Sequence, residues 1–320
     1  MSSTRALEII SFADCKEQPA NSRVNTCRFV DTQGTETGYF VSGGSDGIVR
    51  LWNFKSDAPY LLHQFSGGHP NGDVLDVSCG KGAVRLASVG VDRAVAVWDV
   101  TSGDLWGRLH GHETKVNACA FKDATLLVTG SSDSSIRIWD LRAKTAVQTL
   151  PRFKAAVTGV FVDDNCIGGC SADGSIRTFD VRTGMMQVDQ GDYPLGSICK
   201  SRDNQTLLVS CVDSDKPRLK LVERSSGKVV QQFSGHVNET VSLSSCFNHE
   251  NTLVASGSED GKIRFWNVAS GSLLTEIGLN SSTSTTQDRP QMILGISHHN
   301  ARGCFVVCGT NGLLRGYIYR

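Results

Sequence analysis

Apolar positions along the chain come in short bursts separated by turn residues. Ile136 and Ile138 alternate with polar neighbours, and Val147 and Leu150 continue the alternation in the next segment. A period of two predicts strands that turn one face to a core. Asp46-Gly47, Asp173-Gly174 and Glu259-Asp260-Gly261 are turn pairs placed to join neighbouring strands. No stretch shows the apolar spacing of an amphipathic helix, and no apolar run approaches the roughly 20 residues of a membrane span. The pattern predicts an all-β protein of many short strands.

The bursts also repeat. SGGSDGIVRLWN ends at Asn53, SVGVDRAVAVWD at Asp99, TGSSDSSIRIWD at Asp140, GCSADGSIRTFD at Asp180 and SGSEDGKIRFWN at Asn267. An aromatic closes each one, at Trp52, Trp98, Trp139, Phe179 and Trp266, with an aspartate six positions before it at Asp46, Asp92, Asp133, Asp173 and Asp260. Two weaker copies put Val222 and Tyr317 at the aromatic position, the latter with Asn311 replacing the aspartate. Seven such positions between 52 and 317 lie about 44 residues apart. Gly68-His69, Gly111-His112 and Gly235-His236 precede three of the copies.

Repeat length, the Trp-Asp ending and the Gly-His pairs resemble the WD40 family. The resemblance runs through nearly the whole chain and implies one domain over 1–320, a seven-bladed β-propeller with four strands per blade. The last copy stops after its third strand, so the segment Leu7–Phe12 is expected to supply the fourth and close the ring. GHPNGDVLDV, VGVDRAVAVWDVTSG and SEDGKIRFWNVASG are further similar to a branch of small WD40 scaffolds, that of the mitogen-activated protein kinase organiser. That branch implies a platform for protein partners, either a MAP-kinase module or splicing-complex components, in cytoplasm and nucleus. It implies a monomer that is not an enzyme, needs no cofactor and binds neither nucleic acid directly nor a membrane.

Charge agrees with a protein-binding role. Thirty-two basic and thirty-two acidic residues cancel, leaving no global field to draw in nucleic acid or an anionic membrane. Eleven cysteines without framework spacing predict reduced thiols inside a cell.

Histidine, hydroxyl and aspartate together are the ingredients of nucleophilic catalysis. Here they occur in three copies, His69, Ser88, Asp92 with Trp98; His112, Thr129, Asp133 with Trp139; and His236, Ser256, Asp260 with Trp266. A nucleophile is needed once, whereas architecture is needed in every blade. The resemblance implies a structural relay in which indole, hydroxyl, imidazole and carboxylate are joined in that order. Gly43-Gly44-Ser45-Asp46-Gly47 mimics a nucleophile elbow but sits between strands, where the elbow requires a helix. Cys166 with Cys170, and His298, His299, Cys304 and Cys308, mimic metal ligands and are read as buried side chains.

The family pattern also places residues on the face where inner strands begin. Arg23, Asn25, Ser45, Asp73, Leu75, Val91, Lys115, Asn117, Ser132 and Thr158 come from the early blades, and Val241, Leu243, Glu259, Met292 and Leu294 from the late ones. Val241, Leu243, Met292 and Leu294, with Leu75 and Val91, are expected to offer an apolar docking patch. The loop Arg152-Phe153-Lys154 is expected to form a second contact. A channel enzyme would have to work with Asp73, Glu259, Lys115 and Arg23 alone.

Overall fold

The computed structural model describes the chain except residues 1–8, 16–17, 20–21, 31–37, 55–58, 81, 83, 214–217, 280–290, 300–302 and 320. A Ser/Thr-rich segment at 280–290 and a charged stretch between strands at 213–218, which the sequence suggests is a hairpin tip, thus lie wholly or mostly outside the described residues. Twenty-eight strands form seven antiparallel four-stranded sheets, and no helix occurs among the described residues. Blades 1 to 6 take their strands in chain order, from Val24–Phe65, Val74–Leu109, Val116–Thr149, Val157–Gln190, Leu195–Phe233 and Ser245–Gly278.

The seventh blade closes the ring. It takes Ile293–His298, Cys304–Gly309 and Leu314–Tyr319 from one end of the chain and Ile9–Asp14 from the other. Phe12 pairs with Tyr317 and Asp14 with Arg315, so the expected closing strand is present and runs on to Asp14, two residues past its predicted end. Inner strands of successive blades touch around the ring, including blade 7 with blade 1.

The core lies between blades. Val49 and Phe65 of blade 1 pack with Val74, Val77, Leu86 and Trp98 of blade 2, and each junction repeats the arrangement. Inner and second strands are therefore buried on both faces; Val116–Phe121 and Leu126–Ser131 have hardly an exposed residue. Outer strands keep one wet face, and here the alternation misleads. Ile136, Ile138 and Leu150 are buried, but Val147 on the outer strand is 54% exposed.

One irregularity positions everything on the face where the inner strands begin. The ladder skips a residue at the start of the inner strand in every blade but the sixth, between Val24 and Thr26, Val74 and Asp76, Val116 and Ala118, and Val157 and Gly159, and likewise in blades 5 and 7. Such a bulge bends the strand and re-aims the skipped side chain. The first residue stays between blades, and the second, Asn25, Leu75, Asn117 or Thr158, lines the central channel.

Candidate functional site

Two of the three polar sets form closed relays. Trp139 Nε1 donates to Thr129 Oγ1 at 2.8 Å; Thr129 meets His112 Nε2 at 2.8 Å; His112 Nδ1 meets Asp133 at 2.8 Å. Trp98, Ser88, His69 and Asp92 repeat it at 3.0, 2.9 and 2.9 Å. Gly68 and Gly111 let the loop lie on the indole: a Cβ at Gly68 would stand 2.3 Å from the Trp98 ring. Burial depresses the His112 pKa against the opposing pull of Asp133. Burial pushes the Asp133 carboxyl up, but bonds from Ser135 and His112 outweigh it and hold the pKa at about 2. A neutral imidazole fixed between a carboxylate and a hydroxyl satisfies buried polar groups. Its hydroxyl is buried beneath the loop, where no substrate reaches.

The third set is not a relay, which corrects the expectation for His236, Ser256, Asp260 and Trp266. Trp266 Nε1 donates to the Ser234 carbonyl at 3.1 Å and Ser256 Oγ to the Gly257 carbonyl at 2.9 Å. Asp260 is held by Arg264 at 2.6 and 3.2 Å. Both ring nitrogens of His236 lack a hydrogen bond among the described residues. Gly235, at φ 105°, has open space where Gly68 and Gly111 have contacts. Arg264, four residues beyond Asp260, occupies that carboxylate with a charge-assisted pair, whereas Arg137 at the same spacing in blade 3 leaves Asp133 to His112. Blade 1 has the same pairing, Arg50 with Asp46 at 2.7 Å, and no histidine to displace.

The two histidines should therefore respond oppositely to an apolar replacement. His112→Leu should cost about 1–3 kcal/mol, because it leaves a buried carboxylate and hydroxyl unpaired, while His236→Leu should be neutral or stabilising. Burial, aided by Arg264, lowers the His236 pKa to about 4. The unfolded chain takes up that proton first, near pH 6.5. Stability should fall as pH drops from about 6.5 to 4, by about 1.4 kcal/mol per pH unit, and this share of the fall should vanish in His236→Leu. Urea unfolding across that pH range measures both effects.

The candidate face surrounds a channel of about 1010 Å³. Arg23, Asn25, Leu75, Lys115, Asn117, Ser132, Thr158, Val241 and Leu294 line it as expected from their positions. Leu243 does not: it is fully buried. The Leu243 carbonyl accepts from Ser197 as those of Val74, Val157 and Leu195 accept from Asn25, Asn117 and Thr158. Leu243 thus occupies the inter-blade position, and the channel positions are Ser242 and Ser244. A one-residue slip moves a side chain to the opposite face. Leu294 is itself only 8% exposed and Met292 is half-buried, so the late blades carry no apolar patch. Phe153 is likewise buried, under the Arg177 guanidinium at 4.5 Å, which leaves Arg152 and Lys154 as the exposed members of that loop. Val91 is 45% exposed at the rim.

The acids expected on this face are engaged. Asp73 pairs with Arg23 at 2.9 Å. Glu259 accepts from the backbone of Glu239, Thr240 and Val241 at 2.7–3.1 Å and clamps the loop leading into blade 6. Asp76, which the spacing argument missed, sits deeper and ties three blades together. It accepts from Thr26 and Arg28 of blade 1, each at 3.2 Å, and from the Cys119 amide of blade 3 at 3.0 Å. A carboxylate inside the apolar run VLDV was the available signal. Among the described residues no group of three or more His, Cys, Asp or Glu side chains is arranged to hold a metal ion.

The WD domain, G-beta repeat family matches the chain at residues 16–53, 103–140 and 227–267. An uncharacterised WD repeat-containing protein of Schizosaccharomyces pombe is 31% identical over 285 residues, spanning 88% of this chain and 91% of that protein. The chain belongs to the WD40-repeat family. The WD repeat domain-containing protein 83 homolog of Dictyostelium discoideum is similar over the same shares, 88% and 91%, at 27% identity. The human WD repeat domain-containing protein 83 is 35% identical over 160 residues, 50% of this chain and 47% of that protein. The WD40 frame accounts for both relays and for the closing strand, and proteins of this family commonly serve as platforms for other proteins.

Proposed function

We propose that the protein is a non-catalytic scaffold on which partner proteins assemble, close in role to the branch of WD repeat domain-containing protein 83 and the mitogen-activated protein kinase organiser. The carrying observation is that the groups with catalytic potential are spent inside the fold. The histidines of blades 2 and 3 are locked in relays, Glu259 clamps a loop, Asp73 is paired and Asp76 joins three blades. Loops carried on the ring of blades face solvent, an arrangement suited to positioning other chains.

In this reading the partners are components of a MAP-kinase module or of splicing complexes, met in the cytoplasm and nucleus. Similarity to the protein 83 relatives supports the branch. The test is affinity purification of the tagged chain from native extract, followed by size-exclusion chromatography and mass spectrometry. Stoichiometric co-elution with kinase or splicing components is the expected result, and the two sets are told apart by composition. A chain that elutes alone at its native concentration would sink the scaffold reading.

A further inference from the structure

We propose that the inner-strand-start face of blades 2 to 4 docks an acidic segment of a partner protein, received by Arg93, Lys115 and Lys154. This rests on the scaffold reading and names the chemistry of its partner. The three cations come from consecutive blades, on the turn of blade 2 and on the loops leading into blades 3 and 4. The Lys115 carbonyl accepts from Ser132 and the Lys154 amide donates to Asp173, which fixes both loops to that face. All three side chains are exposed, and none has an ion pair or hydrogen bond to a described residue.

The acids of the same sector are already bonded within the fold. Asp92 is shared by His69 and Arg108, Asp133 is held by His112 and Ser135, and Glu113 pairs with Arg152 at 3.3 Å. The loops leading into blades 5 and 6 show the opposite balance, with Asp192 and Glu239 exposed. Among the described residues, a chain with no net charge thus presents a positive and a negative side on one face. An acidic segment is drawn to the first and repelled from the second.

Arg93 adds an independent observation. It holds φ 66° at the turn corner that blades 1, 4, 6 and 7 give to Gly47, Gly174, Gly261 and Gly312, and blade 3 to the small Ser134 at φ 68°. A left-handed arginine costs free energy that glycine does not, and the Arg93 side chain has no hydrogen bond or ion pair to a described residue that offsets it. Retention of such strain is expected where the side chain serves binding. Val91 beside it, 45% exposed, provides an apolar spot within the basic sector, so the segment should carry an apolar residue among its acids.

The probe is a fluorescein-labelled peptide of alternating glutamate and leucine, titrated by polarisation at low and high salt. Wild type should bind saturably and lose affinity about tenfold as salt rises from about 50 mM to 0.5 M. Arg93→Gly, Lys115→Ala and Lys154→Ala should each weaken binding about fivefold or more, while Lys228→Ala on a distant turn should not. Arg93→Gly should also raise the melting temperature, which separates loss of binding from loss of fold. Absence of saturable binding at low salt, or a triple variant that binds like wild type, overturns the proposal. Extract pull-downs with wild type and the triple variant separate the two readings. Wild type with partners that the triple variant fully retains leaves the scaffold standing and removes the acidic-segment site. Wild type without partners removes the scaffold reading, while the peptide titration still judges the site.

Discussion

Removing residues 1–14 should leave a protein that aggregates or melts far below the intact chain. Strand Ile9–Asp14 pairs along Leu314–Tyr319, with Phe12 opposite Tyr317, and the pairing continues where the Cys15 amide meets the Leu314 carbonyl at 3.1 Å. Five positions of this strand are paired in the ladder, and at about 1 kcal/mol net per hydrogen bond, with about one bond per paired position, the loss is about 5 kcal/mol. That is a large part of the roughly 5–15 kcal/mol that holds a domain together. The deletion also strips Asp14 from Arg315, which is largely buried in the last strand. The strand it uncovers becomes an open edge with unpaired amides and carbonyls, a template for another chain. Light scattering and a thermal melt measure the outcome. A synthetic peptide of residues 9–15 added in trans should recover part of the lost melting temperature. A truncated protein that stays dispersed with an unshifted melt would refute closure by this strand.

Much of the architecture was legible because it is written at fixed spacing. The aspartate six positions before each aromatic, and the glycine-histidine pair upstream, recur within single blades, so His112 and Asp133 could be joined without coordinates. The closing strand was legible from a count of strands in the last repeat. What escaped was whatever depended on groups from elsewhere. That His236 makes no relay and Asp260 pairs with Arg264 instead is not legible from spacing, because Arg137 holds the same position in blade 3, where the relay forms. Asp76 has partners 43 to 50 positions away, on two other blades. Phe153 looked exposed because its neighbours are cations, yet one cation of the next blade, Arg177, lies over its ring. Glu259 looked like a solvent-facing acid and is instead a cap for backbone amides.

Leu243 shows how a single irregularity transmits an error, and its substitution should have the second large effect. Leu243→Asp should prevent folding at physiological temperature rather than selectively detach a partner. The side chain is fully buried between blades, in the position of Val24, Val74, Val116 and Val157. Its burial contributes about 1.5–3 kcal/mol, and a carboxylate there would have to stay charged without a partner or take up a proton at further cost. The regular ladder of blade 6 begins only at Ser245, and the preceding loop is held by Asn238, bonded to Ser210 at 2.7 Å, and by the Glu259 clamp. Counting by twos through that loop without the bulge of the other blades puts Leu243 in the channel and Ser242 in the core, the reverse of what is found. A milder pair tests the register directly. Leu243→Ser should cost about 2–5 kcal/mol, as large-to-small changes in a core do, whereas Val241→Ser, at a half-buried channel position, should cost about 1 kcal/mol or less. Urea unfolding of both variants at neutral pH reads the difference. Equal losses, or a greater loss at Val241, would return Leu243 to the channel wall and with it the apolar docking patch.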